Sequence, residues 1–304
     1  MGEGHEGIRR RIGMKLKGTK TEEILWRALE GELEASFRYR CIAEVARKSG
    51  NKQVAEIFEA TAHNEIEHAR HIFEFLGGVD DLVQDIGRAI EKEGMEATRF
   101  YPEAAETAKK DGLNEIADFF YRMSKVEAKH NRNFRDLRAC IEKGSEFEGR
   151  TVGHSAVEMA QVMLPEQANP AGFVHGGELM KIMDNAAGVV AARHSEGNVV
   201  TGLVEDIKFI NPVRVGDLVI VRGKLTFVSR SSMEVQVEVE TESLFGGHTG
   251  QRATALTAHF VMVALDSKGK ARQVPTIIVS TEEEEKLFNE AQYRYESRKK
   301  ASKR

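Results

Sequence analysis

The sequence predicts an α+β protein of two domains: an all-α four-helix bundle, then a domain built on long antiparallel strands. Three observations predict it. The chain has 304 residues, enough for two domains of ~100–200 residues each. As far as Gly144 it is charged, contains Pro102 as its one proline, and repeats its apolar residues at helical spacing. Beyond residue 150 β-branched residues alternate with polar ones, the pattern of a half-buried strand.

Thr19 opens the first helix and can form a capping box with Glu22. Ile24, Leu25, Leu29, Leu33 and Phe37 recur along it until Ser49-Gly50 stops it. Asn51 can cap a second helix, which Gly77-Gly78 ends. A third starts at Asp80 or Asp81 and must bend or stop near Pro102, because proline lacks the N–H a helix interior uses. The fourth runs from about Leu113 to Lys143, closed by Gly144. A helix-like stretch from Gly177 to His194 precedes four strands: VVTGLVEDIKFI, DLVIVRGKLTFVS, SMEVQVEVETES and RATALTAHFVMVAL. The last segment, TEEEEKLFNEAQYRYESRKKASKR, reads as an amphipathic helix with acids first and bases last, as the helix dipole favours. Residues 1–18 read as a mobile, partly basic tail, 19–145 as the bundle, 146–155 as a linker and 156–304 as the strand-rich domain.

Composition narrows the function. A net charge of -4 with both signs interspersed offers no basic face for nucleic acid. Cys41 and Cys140 are the only cysteines and form no Cys-x-x-Cys, so neither a zinc ribbon nor a rubredoxin iron centre can be built from them. Both fall in helical patterns and read as inert core thiols, at home in a reducing cytoplasm. The N-terminal run lacks the apolar core of a signal peptide, and Glu6 stands where myristoylation needs Ser or Thr. No stretch is apolar for long enough to cross a bilayer. The expected setting is cytoplasmic, with neither membrane nor nucleic acid as partner.

The helical half carries Glu65-x-x-His68 on its second helix and Glu127-x-x-His130 on its fourth. A spacing of three places both side chains of each pair on one helical face. Glu32 lies on the first helix, and Glu93 and Glu96 repeat the spacing on the third. One Glu from each of two helices plus a Glu-x-x-His from each of the other two is the di-iron carboxylate pattern, here with one carboxylate extra. Hard carboxylate oxygens and imidazole nitrogens suit iron, or manganese.

With these motifs in place, the stretches EATAHNEIEHARHIFEFL and EGMEATRFYPEAAETAKKDGLNEIADFFYRMSKVEAKHNRNF resemble the rubrerythrin family. The resemblance implies a ferritin-like bundle with iron ligands at Glu32, Glu65, His68, Glu93, Glu96, Glu127 and His130, and peroxide-reducing or redox-sensing chemistry. Family members commonly carry a rubredoxin domain. This chain carries none, so an external electron donor such as rubredoxin becomes an expected partner.

The link between the second and third helices is short. Helix rise takes the chain ~12 Å from His68 to Leu76 and ~20 Å from Asp80 to Glu93. Parallel helices would require Gly77 to Val79 to climb back over that sum, and those residues span only ~10–14 Å. The expectation is a domain-swapped dimer, in which helices one and two of one chain complete the site with helices three and four of another.

In the second half, Asn169-Pro170-Ala171-Gly172-Phe173-Val174-His175-Gly176-Gly177 leads into ELMKIMDNAAGVVAARH. A glycine pair at a helix start lets bare N–H groups approach a ligand, and the helix N-terminus adds positive potential. That suits a thioester carbonyl, whose oxygen turns negative in the transition state. Asp184 follows two turns later among Met180, Ile182, Met183, Ala186 and Ala187, where an acid is costly unless it has a role or a partner.

HGGELMKIMDNAAGVVAARH, TFVSRSSMEVQVEVE and the acidic last helix resemble hot-dog-fold acyl-CoA thioesterases. The resemblance implies a long helix wrapped by an antiparallel sheet, with sheets paired across a dimer and active sites at its interface. It makes Asp184 the base or nucleophile, gives carbonyl polarisation to Gly176 or Gly177, and has Asn169 and His175 place the thioester or water. Phe173 stands where some relatives carry the catalytic Asn or Asp, which leaves Asp184 with Asn169 of the N-x5-HGG pattern. Coenzyme A phosphates need cations, for which Arg193, His194, Lys208, Arg214 and Arg230, with Ser231 and Ser232, are the candidates. Phe173, Met180 and Met183 could line an acyl tunnel. Hot-dog dimers often build tetramers or hexamers. The expected function is acyl-CoA hydrolysis to fatty acid and CoA, fused to a di-iron redox module. Two other readings fit the same residues: a bundle that only assembles or regulates a thioesterase, and a hot-dog half that only senses acyl-CoA.

Overall fold

The structure is a computed structural model that describes residues 16–79, 81–145, 149–244, 250 and 252–301. The expected tail lies outside the described residues up to residue 15, as do Asp80 and residues 146–148 of the expected linker. The chain forms two compact units, Met1–Arg88 and Ala89–Arg304.

In the first unit, α1 (Lys20–Lys48) and α2 (Lys52–Phe75) make an antiparallel hairpin. Thr19 caps α1 by accepting from Glu22 N at 3.2 Å, while the Glu22 carboxylate accepts from Gly18 N at 2.5 Å, so the box closes one residue earlier than expected. Asn51 stands at the cap of α2 without a side-chain cap bond. Small residues bring the helices close. Ala43, Ala46, Ala55, Ala62 and Ala69 are buried, the Ser36 hydroxyl donates to Ala62 O at 2.9 Å, and Tyr39 meets Phe58 edge-on at 5.6 Å. The large apolar side chains are left outside: Phe37 is 71% exposed, Val45 64% and Ile57 58%. Cys41 is exposed as well, which corrects the expectation of a core thiol: it lies outside the buried alanine seam between α1 and α2.

Gly77 and Gly78 stop α2 at positive φ, and Asp81 starts α3 (Leu82–Met95) by accepting from Gln84 N at 2.9 Å. The helix does not stop before Pro102. A π turn over Glu96–Phe100 absorbs the disruption, and α4 (Tyr101–Lys110) holds the proline in its first turn, where the missing N–H costs nothing. The fourth helix expected from the sequence, α5 (Asn114–Lys143), ends as expected at Gly144 in the left-handed region. Cys140 on α5 is half-buried.

The expected linker contributes structure outside residues 146–148. β1 (Gly149–Thr151) pairs in parallel with β7 (Thr276–Ile278), and α6 (Val152–Ser155) buries Val152 and Ser155. β2 (Val157–Val162), α7 (Gly176–Ser195), β3 (Val199–Phe209), β4 (Leu218–Val228), β5 (Ser232–Glu242) and β6 (Arg252–Ala264) follow. The strands form one antiparallel sheet in the order β2-β4-β5-β6-β3. The sheet wraps α7: Leu179, Ile182, Met183, Ala186, Ala187 and Val190 join Val219, Val221, Val235, Val237 and Phe260 in one core. β3 is an edge strand, and Val200, Leu203, Ile207 and Phe209 on it are exposed. The last helix, α8 (Glu282–Ala301), lies on the sheet through Phe288 and Tyr295, each 5.2 Å from Phe227. Arg294 reaches the buried Glu234 at 2.6 Å, and Arg298 bonds both Glu205 and Glu234.

Candidate functional site

Six of the seven expected metal ligands assemble into two triads, each within one compact unit. In the first unit, Glu32, Glu65 and His68 bring ligand atoms within 4.8 Å of one another. His68 Nδ1 lies 2.9 Å from Glu65 Oε2 and 3.7 Å from Glu32 Oε2. The hydrogen bond Glu32 shares with Glu65, then desolvation and repulsion from that second carboxylate, hold the Glu32 carboxyl above its usual pKa against the pull of His68. In the second unit, His130 Nδ1 lies 2.9 Å from Glu127 Oε2 and 3.2 Å from Glu93 Oε2. Desolvation first, and the neighbouring Glu127 next, raise Glu93.

These sets fit a divalent first-row metal on donor chemistry: each offers two hard carboxylate oxygens and an imidazole nitrogen converging on one point. Paired carboxylates that hold a proton between them release it when a cation takes its place. Glu96 lies outside its triad, in the π turn, with its carboxylate 3.7 Å from Lys92 Nζ. Two partners escaped the sequence reading. Tyr101 is held above its usual pKa by burial first and then by the charges of Glu96, Glu127 and Glu93. His130 Nε2 lies 3.0 Å from the carbonyl of Ser280, far along the chain. Burial alone would depress His130, but the Ser280 carbonyl, Glu127 and Glu93 together hold it above its usual value.

At the start of α7, His175 takes the N-cap and its Nδ1 accepts from Gly177 N at 3.3 Å. Gly176, the first helical residue, has no acceptor for its N–H within the helix. A Cβ on Gly176 would sit 3.2 Å from the Phe209 ring, a close approach that would push the ring aside by a few tenths of an ångström. Asn169 builds the preceding turn: its Oδ1 accepts from Ala171 N at 2.9 Å and Phe173 N at 3.2 Å, leaving the amide nitrogen to donate. Phe173 bridges to Arg214 in the backbone.

Asp184 is exposed in the chain rather than enclosed, and it has a partner: Thr201 Oγ1 on β3 donates to its Oδ1 at 2.5 Å. Sequence reasoning missed Thr201 because it lies 17 positions away and reads as an ordinary strand residue. Met183 is a core residue and Met180 packs against that core.

The expected phosphate-binding cations part company. Arg193, Lys208, Arg214 and Arg230 are exposed, with Arg193 also donating to Ala156 O at 3.2 Å. His194 is the correction. It is fully buried, its Nε2 donates to Pro275 O at 3.0 Å, and burial pushes its pKa down, so it sits neutral in the core and meets no phosphate. Ser231 and Ser232 are half-buried in the β4–β5 turn, where Ser232 shares a 2.7 Å hydroxyl contact with Ser229. An open cleft of about 720 Å3 lies elsewhere, between α5 and the start of α8, lined by Lys129, Cys140, Ile278 and Phe288 among others.

Among the described residues no helix is long and apolar enough to cross a membrane. A family model described as Rubrerythrin matches residues 23–88 and 85–182, and one described as Thioesterase superfamily matches 171–244. The cytosolic acyl coenzyme A thioester hydrolase of Mus musculus is 38% identical over 49% of this chain, which spans 39% of that protein's length. The rubrerythrin of Porphyromonas gingivalis is 39% identical over 45% of this chain and 75% of its own. An uncharacterized acyl-CoA thioester hydrolase of Bacillus subtilis, YkhA, is 38% identical over 50% of this chain and 87% of its own.

Proposed function

Because the chain belongs to the rubrerythrin family through its helical half and to the acyl-CoA thioester hydrolases through its strand-rich half, we propose that it hydrolyses acyl-CoA at α7 and holds a di-iron redox centre on the helices. The observation that carries the hydrolase reading is the Asp184–Thr201 pair, set two turns along the helix whose first N–H groups come from Gly176 and Gly177. Thr201 orients the carboxylate through Oδ1 and leaves Oδ2 to take a proton from water. The resulting hydroxide adds to the thioester carbonyl, and the oxyanion faces the N-terminus of α7. The C–S bond breaks, CoA leaves as thiolate and takes up a proton, and the fatty acid remains. Asn169 and His175 border the turn that would seat the thioester. Arg193, Lys208, Arg214 and Arg230 are the cations open to the CoA phosphates.

When bound, a di-iron centre supplies two-electron reduction of a peroxide, with electrons drawn from an external donor such as rubredoxin. The residues' part is to hold it: Glu32, Glu65 and His68 on one side, Glu93, Glu127 and His130 on the other, with Glu96 in the π turn as a further carboxylate and Tyr101 beside the acidic cluster. Functionally the modules divide as 19–145 and 156–304, in a cytoplasmic setting that keeps the exposed Cys41 reduced.

We further propose that the two triads meet between copies of the chain. α2 ends at Phe75 and α3 begins at Leu82. Bringing His68 level with Glu93 on parallel helices needs ~27 Å of climb. The seven Cα–Cα steps from Phe75 to Leu82 reach ~23–25 Å fully extended, and part of that is spent in the Gly77-Gly78 turn. The unpartnered face of Phe37, Val45 and Ile57 suits a second copy, as does the apolar β3 edge, since an unpaired edge strand is a template for sheet pairing.

A panel of acyl-CoA esters assayed by thiol release, with colorimetric iron content on the same preparation, tests the reading. Hydrolysis by wild type that Asp184→Asn abolishes, together with bound iron, is expected. Equal, slow hydrolysis by both proteins would remove the enzyme assignment.

A further inference from the structure

We propose that the hydrolase half supplies the outer partner of a metal ligand: the main-chain carbonyl of Ser280 fixes His130 so that its Nδ1 faces Glu93 and Glu127. The proposal rests on the reading that the triads hold iron, and it goes beyond it by tying one triad to the last segment of the other module.

An imidazole with both nitrogens free can present either one. With Nε2–H donating to Ser280 O at 3.0 Å, Nδ1 is the nitrogen left to ligate once it gives up its proton to an incoming metal, and it lies 2.9 Å from Glu127 and 3.2 Å from Glu93. Partners of this outer kind set ligand orientation and metal affinity. His68 in the other triad is 59% exposed on its side chain, so the two histidines are held differently.

Ser280 is itself fixed. Its N–H donates to Glu284 Oε2 at 2.7 Å, Thr281 N donates to the same oxygen at 3.3 Å, and Glu284 N donates to Thr281 Oγ1 at 3.1 Å. This is a reciprocal capping box at the start of α8. Two further ion pairs lay that start along α5: Arg122 with Glu282 at 3.5 Å and Lys129 with Glu285 at 3.6 Å. The far end of α8 is anchored on the sheet by Arg294 and Arg298. Ser280 O therefore reaches His130 from a segment held at both ends. Binding linkage is reciprocal, so a metal that favours the Nδ1-ligating imidazole also favours the docked start of α8.

The acceptor is main chain, so the handle is Glu284. Full-length wild type, Glu284→Ala and Glu284→Gln are titrated with Fe(II) anaerobically against a competing chelator. Hydrogen exchange of residues 279–287 is followed with and without Fe(II). The expected result is roughly tenfold weaker affinity at the second triad in Glu284→Ala, recovery in Glu284→Gln, which keeps an acceptor for Ser280 N–H, and slower exchange of 279–287 in loaded wild type. Unchanged affinity in Glu284→Ala, no recovery in Glu284→Gln, or exchange indifferent to Fe(II) overturns the proposal. Wild type that takes up no Fe(II) at all overturns the metal reading instead.

Discussion

The Thr201 hydroxyl donates to Asp184 across 2.5 Å, joining the central helix α7 to the edge strand β3. An exposed carboxylate on an otherwise apolar helix is thus held in one orientation by a strand residue. Asp184→Asn keeps the shape and removes the base. Its kcat/KM for acyl-CoA should fall by ~10²–10⁴, the usual worth of a positioned general base. Thr201→Val should lose about tenfold, the scale of one hydrogen bond to a charged group, with little change in melting temperature. A Thr201→Val enzyme as fast as wild type would leave that hydroxyl without a part in catalysis.

Glu234 is the charge the fold depends on. Its side chain is 1% exposed, and Arg294, Arg298 and the Thr226 hydroxyl all reach it. Removing one member of a buried pair leaves the other uncompensated, so Glu234→Ala should cost ~3–5 kcal/mol and loosen α8. Denaturant midpoints at constant m-value give the measurement. A cost below ~1 kcal/mol, the value of an exposed pair, would contradict the burial.

His194 and His259 set a pH dependence in the strand-rich domain. Desolvation lowers both, with Arg150 adding at His194 and Arg294 at His259. Their folded pKa values lie below the unfolded 6.5, so the unfolded state binds more protons as pH falls. The stability they contribute is whole above 6.5 and is lost as pH drops toward the folded values. Hydrogen exchange in α7 and β6 should accelerate beyond its intrinsic pH trend between pH 7 and 5, and a His194→Gln chain should show less of that effect. Protection that rises on acidification would reverse the sign. Glu32 and Glu93, held above the ordinary carboxylate range, act in the opposite direction on the helices, which is why the exchange probe must be local.

Local patterns in the sequence account for much of this. Strands β3 to β6, α7 and α8 fall where alternation, the glycine pair and the acid-to-base gradient place them, because each signal is carried within a few residues. Glu65-x-x-His68 and Glu127-x-x-His130 align for the same reason, one turn of helix being enough, and Glu32 and Glu93 meet them from the neighbouring helices. Features that depend on distant contacts were not legible. β2 and the short β1 carry little periodicity, and β1 exists through pairing with β7. His194 reads as a basic residue at a helix end, and only the sheet around α7 makes it a core residue. Ser280 and Thr201 act through a carbonyl and a hydroxyl whose partners lie 150 and 17 positions away, and no spacing announces them. Pro102 signalled disruption correctly, but a π turn accommodated it without ending the helix.

Mixing two crippled chains tests whether the triads meet between copies. One chain carries Glu65→Ala and His68→Ala, the other Glu127→Ala and His130→Ala, so each lacks one triad's histidine and a carboxylate. If every site is built within one chain, each site is broken in either protein, and a co-refolded mixture binds no more iron than the separate variants. If α1 and α2 of one chain complete a site with α3 and α5 of another, a mixed dimer holds one site with all of its ligands intact and one with both triads damaged. An equal mixture in which half of the dimers are mixed should then recover about a quarter of the wild-type iron, against a background near zero for each variant alone, since metal affinity depends on the full ligand set. Recovery should require unfolding and refolding the chains together, because exchange of a packed helical hairpin between folded dimers needs the apolar faces around Phe37 and Ile57 to separate. Iron content of the mixture equal to that of the separate variants after joint refolding would place all the ligands of a site in one chain.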